Sequence, residues 1–181
     1  MHGRQSTTAV RVTLITILIF FGGVIFFAHE VNSRRAQTAT TQPPTKYTNY
    51  VYKISLTYPS DWQPTAGYNY DHYEGPSGFF ALSAAGTATS SIDGMVKDEI
   101  QQVSRPYGSS PTTEVLSIAK HDARLILPAG DQPTSFHGQA ALIVRYSKEI
   151  VVSGRAYDYL VLWADKDHIR QIGDSISFVE Q

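Results

Sequence analysis

Residues 68–74 read Tyr-Asn-Tyr-Asp-His-Tyr-Glu, which puts three tyrosines, a histidine, an asparagine and two acids in seven residues. Flat apolar rings with hydrogen-bonding tips are the chemistry of binding surfaces, because tyrosine offers contact area at low entropic cost. Tyr68, Tyr70, His72 and Tyr73 are therefore the candidate binding residues. Trp62, shortly before them, is the candidate partner in a sugar- or peptide-stacking platform. The same composition also suits plain packing, with rings lidding the edge of a core and hydroxyls reaching solvent. The densest set of oxygen and nitrogen ligands is Asp165, Asp167 and His168. Its spacing at a helix start fits a capping residue and acids on the N-terminal dipole better than a cation site, which would need other loops to contribute. His121-Asp122 reads as a tight turn and His137-Gly138 as part of a loop.

Signatures of catalysis are missing from the sequence. The His29-Glu30 pair is followed by Ser33 where a zinc protease places its second histidine. The clusters Gly75-Pro76-Ser77-Gly78 and Gly108-Ser109-Ser110-Pro111 lack the G-x-S-x-G spacing of a nucleophile elbow, and their prolines suit turns. There is no Walker loop or G-x-G-x-x-G, so no cofactor is expected. With no cysteine, disulfides, thiol nucleophiles and Cys-ligated zinc are excluded.

The elements that must position these residues divide the chain of 181 residues into an N-terminal appendage and one domain of ordinary size. Residues 12–28 form a run of seventeen uncharged residues, hydrophobic on every face. As a helix it would span about 25 Å, near the thickness of a hydrocarbon core. Arg11 can snorkel and lengthen it. A cleavage site needs small residues three and one before the cut, and Phe26 is too large to pair with Ala28, so the run reads as an uncleaved transmembrane signal anchor rather than a signal peptide. Arg4 and Arg11 precede it and Arg34 and Arg35 follow, which leans towards a cytoplasmic tail at residues 1–11 and an extracytoplasmic body. A tail of eleven residues is too short to be the output domain of a sensor. Residues 29–45, polar and ending in Pro43-Pro44, read as a flexible linker with a reach of about 23 Å. From Lys46 onward eleven basic and fifteen acidic residues give a net charge of -4, so nucleic acid is not an expected partner.

Within the body, alternation over 50–58 predicts a half-buried strand that ends at Tyr58-Pro59-Ser60-Asp61-Trp62. Residues 78–85 predict a second strand. Ile92, Met95, Val96, Ile100 and Val103 fall on one helical face over 90–104, with Ser90 as the expected cap. Residues 113–120 and 123–127 predict a hairpin. Residues 139–146 and 156–163 predict a longer pair turning at Ser153-Gly154, the second strand apolar on both faces and so central. Asp165 is the expected cap of a short final helix ending at Gly173, followed by a closing strand with Ile176 and Phe178. The order predicts an α+β domain, an antiparallel sheet flanked by helices.

The opening strand running into Tyr58-Pro59-Ser60-Asp61-Trp62 resembles PsbP-like domains, in which a tyrosine-proline pair, a short polar step and tryptophan end the first strand. The close, a short helix and then Ser175-Ile176-Ser177-Phe178, is similar as well. The resemblance covers residues 47–180 and implies an α/β/α sandwich. It also implies an accessory or binding protein rather than an enzyme, and it carries no catalytic residues over. The expectation is a membrane-anchored, extracytoplasmic PsbP-like module that binds a protein, peptide or glycan partner in the envelope. The alternative is an envelope hydrolase, metal-assisted through Asp165, Asp167, His168 and a histidine from another loop.

Overall fold

The computed structural model describes residues 43–86, 91–136 and 138–179. The expected cytoplasmic tail, the uncharged run 12–28 and nearly all of the linker lie outside them, as do Ser90 and His137. Among the described residues no helix is long and apolar enough to cross a membrane.

Two antiparallel sheets organise the domain. The first has the order β1-β2-β10, from Thr45–Asn49, Ile54–Tyr58 and Ser177–Phe178. The second has seven strands in the order β3-β4-β5-β9-β8-β7-β6. In chain order these are β3 (Gln63–Pro64), β4 (Asp71–Gly75), β5 (Gly78–Ala85), β6 (Thr112–Ile118), β7 (His121–Leu127), β8 (Gln139–Val152) and β9 (Arg155–Asp165). β8 and β9 are central, β9 as its two-faced apolar sequence predicts, and they pair from Gln139↔Asp165 to Val152↔Arg155 with a register shift between Arg145 and Ile150.

Alternation along these central strands builds two cores. Leu142, Val144, Leu160 and Leu162 face one side. Ile54, Leu56 and Tyr58 of β2 and Ile169 and Ile172 of α2 (Ile169–Asp174) cover them. Ala141, Ile143, Tyr159 and Val161 face the other side, under Ile92, Met95 and Val96 of α1 (Ile92–Ile100) and under Tyr107. One face of the large sheet is thus covered mainly by a helix, and the other by the small sheet together with α2.

Several local expectations are corrected. The strand expected over 50–58 is a hairpin: β1 and β2 pair through Asn49↔Ile54, and residues 50–53 turn, with Lys53 at φ 53. The alternation in 50–53 was real but had no sheet face beneath it, and Tyr50 is 71% exposed. The helix starts from Ser91, whose side chain accepts the Gly94 N–H at 3.0 Å, and it ends at Ile100. Val103 therefore lies beyond it and is fully exposed. His121 is the first residue of β7 rather than a turn residue. The tight turn is Ala119-Lys120, both at positive φ, which matches the twist of the flanking strands. Gly173 is inside α2 and not its stop, because a Cβ there would run into the end of Leu142 on β8. The helix uses glycine to lie close on the sheet.

Candidate functional site

The second half of the stretch 68–74 is β4, and strand periodicity divides its side chains between two faces. Tyr73 points into the core beneath the small sheet. Its ring stacks on Phe80 with centroids 4.8 Å apart and planes 4° apart, and it meets the edges of Tyr47 and Tyr58. On the same side, Asp71 accepts hydrogen bonds from the Tyr47 hydroxyl and from Asn49 Nδ2. Burial, with the carboxylate beside it, holds the Tyr47 hydroxyl far above its ordinary range.

Trp62 is also in that core. It is 1% exposed, its Nε1 donates to Ser77 Oγ at 3.0 Å, and its ring packs near Phe80 and on the edge of His168. Gly75 lets the β4 backbone pass directly over it, since a Cβ at that position would overlap the indole. Trp62 and Tyr73 therefore do not join Tyr68, Tyr70 and His72 in one platform. The sheet separates them.

The other three residues line a cleft of about 680 Å³ on the α1 side of the large sheet. Its floor is a cross-strand row in which His72, Ala81 and Trp163 are register partners on β4, β5 and β9. The small Ala81 between two rings makes the trough. Tyr68 stacks on His72 at 4.0 Å and 22°, His72 lies parallel to Phe79 at 5.8 Å, and Tyr70 tilts over Trp163 at 5.8 Å. Tyr68 and Tyr70 are 46% and 39% exposed. The far wall comes from the end of α1 with Glu99 and Gln102, and from the 3-10 turn Thr134–Phe136. A cleft of this size, in which aromatic rings are interleaved with polar groups, suits a small ligand or a side chain of a larger one.

Two polar groups stand out. His72 is 8% exposed and its Nδ1 has no hydrogen-bond partner. Burial lowers its pKa from 6.5, against a smaller opposing effect of Glu74, so the ring is neutral at neutral pH. Glu99 is also buried, and its Oε1 accepts from the Tyr107 hydroxyl at 2.6 Å and from Trp163 Nε1 at 2.8 Å. Burial and the neighbouring carboxylate push the Tyr107 hydroxyl far up. Sequence reasoning missed Glu99, Phe79 and Trp163. Trp163 reads as an interior residue of an apolar strand, and the only signal to the contrary is the alternation that places it opposite Leu162.

Among the described residues, which leave out His137, no further histidine gathers with Asp165, Asp167 and His168. Asp165 Oδ1 accepts from His168 Nδ1 at 2.7 Å and from the Asp167 and His168 N–H groups at 3.2 Å, while Oδ2 accepts from Phe79 N at 3.2 Å. Asp165 thus closes the turn ahead of α2 and ties the end of β9 to the start of β5. The N-cap position itself is held by His168, whose side chain makes no capping hydrogen bond to the helix. A Cβ at Gly78 would land on the Asp165 carboxylate, so that residue has to be glycine for the tie to close. His121 stacks on Phe178 at 3.9 Å and pairs through Nδ1 with the Arg145 carbonyl. Among the described residues no three His, Asp or Glu side chains gather as a metal site.

No protein-family model and no curated protein matches the sequence. Among solved structures, the chain is similar to the solution structure of cyanobacterial PsbP (CyanoP) from Synechocystis sp. PCC 6803. The two share 9% sequence identity with a TM-score of 0.43, over 78% of this chain and 95% of that one.

Proposed function

We propose that this chain is a single-pass membrane protein whose extracytoplasmic domain, an α/β/α sandwich of PsbP-like type, is a non-enzymatic binding module for a protein, peptide or glycan partner. Residues 12–28 would anchor it and the linker would hold the domain just off the bilayer. The observation that carries the reading is the cleft, where Tyr68 and Tyr70 hold large apolar rings in solvent beside a buried histidine nitrogen with no partner. Folding alone gives no reason to leave either arrangement, whereas a bound partner would cover the rings and fill the nitrogen's valence. No observation favours the hydrolase alternative, because both oxygens of Asp165 serve the fold.

The test is capture of the partner from an envelope extract by the full chain in neutral detergent. Replacing Tyr68 and Tyr70 by alanine should weaken capture by about tenfold, as loss of an aromatic anchor does. Tyr73→Phe, on the opposite face, should leave it unchanged. Equal loss in all variants, or none in Tyr68→Ala and Tyr70→Ala, would remove the site.

A further inference from the structure

The charges around the cleft are of one sign. Among the described residues Glu74 and Glu99 line it and no lysine or arginine does. The ion pairs among the described residues join Arg124 to Asp93 and Asp122, Arg170 to Glu114 and His168 to Asp165, so neither lining carboxylate has a cationic partner there. Glu99 is the demanding case, at 6% exposure. The Tyr107 hydroxyl and the Trp163 indole satisfy its Oε1 but bring no positive charge. A buried carboxylate without a counter-ion is costly, and a positive ligand would supply what the fold lacks.

The walls point the same way. Trp163, Tyr70 and Tyr68 offer π faces, whose quadrupole attracts cations. The indole N–H of Trp163 donates to Glu99, which pushes electron density back onto the ring and deepens that attraction. His72 Nδ1, buried beneath the stacked Tyr68 ring and unpaired, puts a further unsatisfied polar atom at the floor of the cleft.

We propose that the cleft binds an organic ammonium group, held between Glu99 and the faces of Trp163 and Tyr70. The inference rests on the reading of this cleft as the binding site and names the chemistry it selects. The group could arrive on a free alkylated amine or on the basic side chain of a peptide. A neutral sugar would stack on the same rings but leave the buried charge uncompensated.

The test uses the full chain in neutral detergent, with the Trp163 indole N–H followed by NMR and assigned through Trp163→Phe. Choline and N-acetyl-lysine amide are the cationic probes, and 3,3-dimethyl-1-butanol is the uncharged analogue of choline. At least one cation should bind about tenfold more tightly than the alcohol. Preference for choline would assign a free, fully alkylated ammonium, and preference for the lysine amide a basic peptide. Glu99→Gln keeps an acceptor for Tyr107 and Trp163 and should weaken the cation about tenfold. Glu74→Gln, at an exposed position that does not threaten folding, should weaken it by a smaller factor. Equal binding of the alcohol, or cation affinity unchanged in both Gln variants, would overturn the proposal. Should an uncharged glycan or peptide shift Trp163 when the cations do not, the ammonium inference fails while the binding cleft stands. Loss of the cleft itself would show instead as capture indifferent to Tyr70→Ala.

Discussion

Replacing Asp165 by alanine removes acceptors from four donors at once. Oδ1 serves the N–H groups of Asp167 and His168 and Nδ1 of His168, and Oδ2 serves the N–H of Phe79. The residue is 7% exposed, so water cannot take over its place freely. His168 has a side chain 22% exposed and can turn its ring nitrogen to solvent. Of the backbone donors, the His168 N–H keeps the Asp165 carbonyl at 3.1 Å, so the N–H groups of Asp167 and Phe79 are the ones that lose this acceptor. A donor left unpaired costs about 1–3 kcal/mol when buried, and at 3.2 Å these bonds belong near the lower end, so the loss should be about 2–3 kcal/mol. That is a large part of the roughly 5–15 kcal/mol that keeps a domain folded. Asp165→Asn is the sharper variant. Its amide oxygen can keep the donors on the Oδ1 side, but its NH2 then faces the Phe79 N–H, donor against donor, for a cost of about 1–2 kcal/mol. Urea unfolding followed by circular dichroism measures both variants. If Asp165→Ala lost less than about 1 kcal/mol, the tie between β9, β5 and the turn before α2 would not be a stability element. Asp165 would then be free for the chemical role that the hydrolase alternative gives it.

Two further outcomes follow from burial. Trp62→Ala should destabilise by about 3–5 kcal/mol through the cavity it leaves, measured by the same unfolding curves. Capture of a partner by the fraction that stays folded should be unaffected, and a selective loss of capture in a stable variant would return Trp62 to the site. His72 gives the domain a pH dependence. Its ordinary pKa of 6.5 applies to the unfolded chain, while burial lowers the folded value. Between the two values the unfolded state binds more protons, so stability present above pH 6.5 is lost as pH falls through the folded pKa. The drop in unfolding free energy between about pH 7.5 and about pH 5.5 should therefore shrink in His72→Gln. An unchanged drop would show that His72 does not carry it.

Much of the framework was legible locally because its causes are local. Ser153-Gly154 turns β8 into β9 through two consecutive positive φ angles, at 50 and 79, and a short polar residue followed by glycine announces such a turn. The apolar run 160–162 has no polar face, which only a central strand tolerates. The tyrosine-rich stretch announced itself by composition, and four of its members, Tyr68, Tyr70, His72 and Glu74, line the cleft.

The sequence alone determined that 68–74 is chemically unusual, that the strand over 156–163 is apolar on both faces and that no familiar catalytic motif is present. Tertiary structure decided which of those tyrosines meet solvent. β4 pairs with β5 in a register that sets Tyr73 over Phe80 and His72 beside Ala81, and no neighbour of Tyr73 in sequence carries that information. Trp62 was drawn into the core because Gly75 lets a strand cross it. Glu99 and Trp163 lie 64 residues apart and meet only when α1 packs on the large sheet. The charge and aromatic chemistry of the cleft arises from long-range pairing, where side-chain periodicity tells which residues share a face but not which strands will lie side by side.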